Sequence, residues 1–137
     1  IGAWCIGMSR RALEMMASYA KQRVTFGAPL ADRQAIQWWI ADAAINISAC
    51  RALLLDTARK QDAGIDVRTE ASMIKVFATE MASDVIDQAM QAHGAMGMTK
   101  ELPLQMMAAQ VRNMRIYDGP SEVHRWVVAR NVLGGNR

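Results

Sequence analysis

The residue best placed to do chemistry is Asp118, in the run Tyr117-Asp118-Gly119-Pro120-Ser121-Glu122. A carboxylate in a turn before a helix has two uses. It caps that helix, with Pro120 supplying the fixed φ of an early helical position, or it points into a cleft and works as a base. Residue type and spacing leave both open. The two histidines are less suggestive. His93 borders a glycine segment and reads as a helix-terminal cap, and His124 reads as a bundle-facing or surface residue at the start of the last helix. Neither has an acidic residue three positions before it, as a di-iron bundle requires, and Asp84 and Asp87 share a polar face, so no metal site is expected. There is no G-x-S-x-G elbow. Gly94 and Gly97, in His93-Gly94-Ala95-Met96-Gly97-Met98, either let a phosphate approach the backbone or simply make a helix end and a tight turn. Their spacing and the helix before them do not match a Rossmann fingerprint.

The elements that must position these residues are helices. The first is predicted over Gly2–Gln22, with Trp4, Met8, Ala12, Met15 and Tyr19 as its apolar stripe. Gly27 and Pro29 break the pattern. The second runs over about Arg33–Gln61, burying Ile36, Ile40, Ala43, Ile47, Cys50, Leu54 and Ala58. The third begins near Asp66 or Thr69, either of which could cap it, and ends at His93. Its core face is Ile74, Phe77, Met81, Val85 and Gln88–Met90, and its solvent face is Glu80, Asp84, Asp87 and Gln91. Pro103 opens a shorter helix to about Met114, and a last one ends near Val132. No segment alternates convincingly over strand length. The expected fold is all-α: an antiparallel up-and-down four-helix bundle with a short extra helix, one domain over residues 1–137.

Composition narrows the partners. The 137 residues carry 16 Lys+Arg against 13 Asp+Glu, a net charge of +3, and 52% are hydrophobic. The basic residues do not cluster into a nucleic-acid footprint. The longest uncharged run, Gln88–Thr99, is shorter than the ~20 apolar residues of a spanning helix, so no bilayer crossing is expected. Cys5 and Cys50, without metal-site spacing, read as two free buried thiols. Adjacent Trp38 and Trp39 cannot share one helical face, so one of them is expected to meet another subunit or domain.

Five motifs in order resemble the carboxy-terminal helical domain of the acyl-CoA dehydrogenase family over Gly2–Leu133. They are Tyr19-Ala20-Lys21-Gln22-Arg23-Val24-Thr25-Phe26-Gly27; Gln34 with Ala41-Asp42; Ala71-Ser72-Met73-Ile74-Lys75; Gln91-Ala92-His93-Gly94-Ala95-Met96-Gly97; and Ile116-Tyr117-Asp118-Gly119-Pro120-Ser121-Glu122-Val123. The run Asp118-Gly119-Pro120-x-Glu122-Val123-His124 is most similar to the branch of family members 10 and 11, which act on long or hydroxylated acyl chains.

The resemblance implies a longer flavoenzyme, with a helical and a β domain before this one, that binds FAD and assembles as a homo-dimer or homo-tetramer. It implies that Asp118 stands where many members have the catalytic glutamate, removing the α-proton of an acyl-CoA thioester. It implies cofactor contacts from Arg23, Thr25, Phe26, Gln34, Gln91, Gly94 and Ala95 to the FAD of a neighbouring subunit, and a thioester pocket shaped by Tyr117 and Gly119. An electron-transfer flavoprotein is the implied electron acceptor. Three departures stand out: Asp118 is one methylene shorter than Glu, Pro120 replaces a threonine that touches the cofactor, and Ala95 replaces a second glycine. An acyl-CoA oxidase-like flavoenzyme and a non-catalytic oligomerisation bundle are the alternatives. The chain alone is expected to bind FAD weakly or not at all and to show no turnover. Bacterial cytoplasm is the expected location, with mitochondrion or peroxisome as alternatives.

Overall fold

A computed structural model describes residues 1–135. Its elements in chain order are α1 (Gly2–Gln22), strands β1 (Val24–Thr25) and β2 (Ala28–Pro29), a 3-10 turn (Leu30–Asp32), α2 (Gln34–Asp62), α3 (Arg68–His93), a second 3-10 segment (Gly94–Met98), α4 (Leu104–Met114) and α5 (Ser121–Val132). The all-α, up-and-down arrangement is the one the sequence predicts. The sequence reading has no counterpart for the two-residue hairpin, in which Val24 pairs with Pro29 and Thr25 with Ala28. Helix α3 is the spine, packing against α1, α2, α4 and α5.

Because α3 is surrounded, it buries more than one stripe. Ser72, Lys75, Thr79, Ala82, Ile86 and His93 join Ile74, Met81 and Val85 inside, while the expected core residues Phe77 and Met90 are half-buried. Hydroxyls survive there by bonding back to their own helix. Thr79 donates to the Lys75 carbonyl at 2.9 Å, and Ser9 to the Cys5 carbonyl at 2.8 Å. Alanines 12, 20, 78, 82 and 89, all fully buried, let the helices approach closely. At Gly2 the approach is closest, since a Cβ there would lie 2.4 Å from Ile74 Cγ2.

The apolar face of α1 is rotated from the predicted stripe. Cys5, Ser9, Ala12, Met16 and Ala20 are buried, Met15 and Tyr19 are half-buried, and Trp4 is exposed. On α2, Ala58 is likewise exposed and Thr57 takes the inner place. Neither Asp66 nor Thr69 is the N-cap residue of α3, which is Val67. Asp66 still accepts the Arg68 N–H at 3.1 Å from one position further out. Both cysteines are free and buried.

Of the tryptophan pair, Trp39 packs against the core and Trp38 stays exposed. Trp38, Ala41, Ile45, Ser48, Ala52 and Leu55 continue as one exposed seam at three- and four-residue spacing. By length and composition alone, α2 is also long and apolar enough to cross a membrane. The expectation from the longest uncharged run does not register it, because Asp42 and Arg51 interrupt α2 without removing its mean hydropathy.

Candidate functional site

The sequence-predicted site residues fall at two ends of the bundle. Asp118 and its neighbours lie at the end formed by the start of α1, the end of α2, the starts of α3 and α5 and the end of α4. Arg23, Thr25, Phe26, Gln34, Gln91, Gly94 and Ala95 lie at the other. Lys75 beside the first group and Gln91 in the second are sixteen residues apart on α3, about 24 Å at ~1.5 Å per residue.

At the first end, Met114 closes α4 and Ser121 opens α5, leaving a short turn between them. Asp118 has φ 53° and Gly119 φ 90°, two consecutive left-handed residues. Asp tolerates this region better than most residues because its side chain is short and polar. The capping alternative does not hold: Pro120 is the N-cap residue with extended backbone rather than a first helical residue, and α5 has no side-chain cap. Among the described residues the Asp118 carboxylate makes no hydrogen bond or ion pair, and it is exposed.

What holds the turn is a set of donors aimed at its carbonyls. The Ser121 N–H donates to the Arg115 carbonyl at 3.1 Å. Lys75, buried on α3, donates to the same carbonyl at 3.1 Å and to the Gly119 carbonyl at 2.5 Å. The His124 Nε2–H donates to the Asp118 carbonyl at 3.0 Å, and its Nδ1 lies 3.1 Å from Ser72 Oγ. Burial pushes the Lys75 ammonium below the ordinary lysine range, against the attraction of the Glu122 and Asp118 carboxylates. With these carbonyls engaged, the N–H groups of Asp118 and Gly119 donate to nothing else among the described residues.

Asp118, Lys75 and His124 border a cleft of about 520 Å³ whose walls are mainly Ile1, Gly2, Leu54, Ala58, Val67 and Ile74. A carboxylate, two free amides and an apolar wall are the parts needed to bind a carbonyl compound and remove a proton beside its carbonyl. Tyr117 is partly exposed beside Asp118, and Gly119 is half-buried. The sequence reading assigned no role to Lys75, Ser72 or His124. For Lys75 a signal was present: its spacing to Ala78, Thr79 and Ala82 puts a cation on a buried face of α3.

At the second end, the hairpin turn is Phe26-Gly27, with φ 49° and 78°. Two left-handed residues in a two-residue loop make a type I′ turn, where Asn-Gly is favoured. Phe is a poor choice for that position, and this one is 99% exposed. Arg33 steadies the loop, donating from Nη2 to the Thr25 carbonyl at 2.7 Å. Thr25 is half-buried, and Arg23, Gln34, Gln91 and Ala95 are exposed. Gly94 ends α3 at φ 60°, ψ −137°, the mirror of extended backbone and open to glycine alone, with free space where a Cβ would stand. His93 is buried. It stacks on Tyr19 at 4.4 Å, with Nδ1 2.8 Å from the Ala89 carbonyl, so it closes the end of α3. A guanidinium, a hydroxyl, two amide side chains, an exposed aromatic ring and bare backbone at one end form a donor set suited to a dinucleotide.

A family model described as Acyl-CoA dehydrogenase, C-terminal domain, matches residues 1–133. (R)-Benzylsuccinyl-CoA dehydrogenase of Thauera aromatica is 43% identical over 138 residues, covering 100% of this chain and 34% of that protein. Among solved structures, butyryl-CoA dehydrogenase from Megasphaera elsdenii superposes with a TM-score of 0.91 at 32% identity, over 96% of this chain and 34% of that one. The FAD complex of PigA superposes with a TM-score of 0.92 at 29% identity, over 99% and 35%. The chain thus spans about a third of the length of the curated relatives it matches.

Proposed function

The chain belongs to the acyl-CoA dehydrogenase family, as its C-terminal domain, and from that premise we propose that it is part of an FAD-dependent acyl-CoA dehydrogenase whose base is Asp118. The observation that carries this reading is the Asp118 turn. Among the described residues its carboxylate caps nothing and pairs with nothing, while Lys75 and His124 bond the turn's carbonyls and leave its backbone left-handed beside an apolar cleft.

The chemistry follows from what these groups can do. An α-C–H beside a thioester is a poor acid in water. It yields its proton when the carbonyl oxygen receives hydrogen bonds and a carboxylate sits against the carbon. The Asp118 N–H is available as one such donor, and the Asp118 carboxylate takes the proton. FAD, when bound, supplies the oxidant that accepts the β-hydride, leaving an α,β-unsaturated thioester. Tyr117 and Gly119 flank the base and shape the thioester end of the cleft. The donor set at the opposite end fits the cofactor: Arg23 for the pyrophosphate, Gln34, Gln91, Thr25 and the Gly94–Ala95 backbone for hydrogen bonds, and Phe26 for an apolar contact. The two groups stand about 24 Å apart along α3. That separation supports an arrangement in which one chain's base and its dinucleotide contacts serve different flavins, so a homo-dimer or homo-tetramer is required.

The run from Asp118 to His124 supports affiliation with the branch of members 10 and 11, and an electron-transfer flavoprotein as acceptor follows from the dehydrogenase reading. A bacterial cytoplasmic location is part of the same proposal. The test is an anaerobic titration of the complete flavoprotein with a panel of acyl-CoAs, with Asp118→Asn alongside. Bleaching of the flavin in the parent and its loss in Asp118→Asn, with acyl-CoA binding kept, is the expected result. Equal bleaching in both proteins would remove Asp118 as the base. Rapid reoxidation by oxygen would favour an oxidase, and absence of flavin a non-catalytic bundle.

A further inference from the structure

The groups around Asp118 include one that helix packing alone does not require. The His124 imidazole bridges the Asp118 carbonyl, 3.0 Å from Nε2, and Ser72 Oγ, 3.1 Å from Nδ1. A carbonyl oxygen only accepts, so Nε2 must carry a proton. In a neutral ring Nδ1 then accepts, and the Ser72 hydroxyl is its donor. The same hydroxyl lies 3.0 Å from the Arg68 carbonyl, so one proton has two acceptors, and rotation about a single bond chooses between them. The ring also lies against the turn itself: a Cβ on Gly119 would stand 3.0 Å from Nε2.

We infer that His124, oriented by Ser72, is a positioning residue that holds Asp118 in its left-handed conformation and so sets where the carboxylate meets the substrate. The inference rests on the reading of Asp118 as the base. Even for Asp, left-handed backbone is less favourable than right-handed, so the conformation is held only where its surroundings engage it. Relaxation turns the Asp118–Gly119 peptide and carries the side chain with it. Asp has little reach to spare. A misplacement of ~1 Å at a reacting centre costs on the order of 10²-fold in rate. Lys75 fixes the carbonyls of Arg115 and Gly119 on either side, but among the described residues only His124 takes the carbonyl of Asp118 itself.

The test uses the complete flavoprotein with His124→Phe, which keeps a flat ring and loses the donor, and His124→Gln, which keeps an N–H. In His124→Phe the rate constant for flavin reduction by acyl-CoA is expected to fall 10- to 100-fold, with KM and flavin content changed less than about threefold. His124→Gln is expected to recover most of that loss. Ser72→Ala is expected to slow the parent about three- to tenfold and to add nothing in the His124→Phe background, since it acts through the ring. Equal rates in the parent and His124→Phe, no difference between Phe and Gln, or a fully additive Ser72→Ala effect would each overturn the inference. A readout independent of turnover is histidine ¹⁵N NMR of the parent protein, with the signal assigned by its loss in His124→Gln while the other histidine signals stay in place. A proton on Nε2 supports the inference, and a bare Nε2 overturns it. Asp118→Asn separates the two levels of argument. If it still reduces flavin, the base assignment falls. If it is inert while His124→Phe is unimpaired, only the positioning role falls.

Discussion

Replacing Lys75 with Met tests whether a buried cation is what holds the Asp118 turn together. Met nearly matches the Lys stem in volume, so little cavity opens. Two charge-assisted hydrogen bonds disappear, to the Arg115 carbonyl at 3.1 Å and the Gly119 carbonyl at 2.5 Å. The Arg115 carbonyl keeps the Ser121 N–H, but the Gly119 carbonyl is left with no partner among the described residues. A charge-assisted hydrogen bond contributes about 1.5–3 kcal/mol, and the half-buried Gly119 carbonyl loses the one it has. Removing the ammonium returns part of this, because burial disfavours the charged form. The expected net loss is therefore about 1–2 kcal/mol in urea unfolding near pH 7. The pH dependence supplies a second signature. The native lysine titrates below its ordinary value of 10.5. Between its lowered value and 10.5 the unfolded chain binds more protons than the native one, so the parent gains stability as pH rises through that window. Lys75→Met should lack this gain, so the difference between the two proteins should widen toward alkaline pH. Unchanged urea stability, or a difference that narrows as pH rises, would refute the argument.

Three further perturbations have defined outcomes. Gly97→Ala should destabilise by about 1–3 kcal/mol or more in urea melts, because the new Cβ would stand 2.4 Å from the Met90 carbonyl oxygen, which is backbone and cannot swing aside. Glu80→Gln should cost at most about 1 kcal/mol at pH 7, since its partners Arg125 and Arg115 are partly exposed. The hydrogen bond from Arg125 holds the Glu80 carboxyl below the usual range, so its contribution is complete above about pH 4.5 and is lost as pH falls through the lowered value. The acid melts of parent and variant should therefore converge. Phe26→Asn should leave the bundle as stable or raise its Tm, because Asn-Gly suits the type I′ turn better, while the complete protein retains FAD less well. Unchanged FAD retention would remove Phe26 from the cofactor contacts.

The helices are legible because each long segment carries helical periodicity between glycine or proline breaks, and the end of α3 at His93 falls directly before such a break. The misreadings have a common cause. Periodicity identifies one stripe per helix, but α3 meets four neighbours and buries residues all round, so Ser72, Lys75 and Thr79 lay on what read as neither core nor site. Trp4 was misplaced because a large apolar residue near the start of a helix fits an apolar stripe whether or not anything covers it. At Asp118 the residue type and turn favour a helix cap, and only the family resemblance points to a base. What separates them is the backbone between Arg115 and Ser121, whose left-handed pair moves the carboxylate off the helix start. The side-chain hydrogen bonds that hold that backbone come from Lys75, 43 residues before Asp118, and from His124, six after it, and no local window contains both.

The strain in this chain is localised in a way that bears on function. Among the described residues only two non-glycine positions have positive φ, Phe26 and Asp118. They stand at opposite ends of the bundle, and each has its carbonyl engaged by a basic side chain: Arg33 at 3.4 Å from the Phe26 oxygen, and His124 at 3.0 Å from that of Asp118. Backbone held out of its preferred conformation persists only where its surroundings over-determine it, and such positions concentrate where ligands are gripped or reactions occur. The long helices between them carry little strain and act as a spacer of about 24 Å. A spacer of that kind suits the proposed arrangement, in which a base at one end and dinucleotide contacts at the other serve two sites. Lengthening α3 alone by one turn, about 5.4 Å, would break this spacing, because Tyr19 of α1 stacks on His93 at one end while Lys75 holds the Asp118 turn at the other.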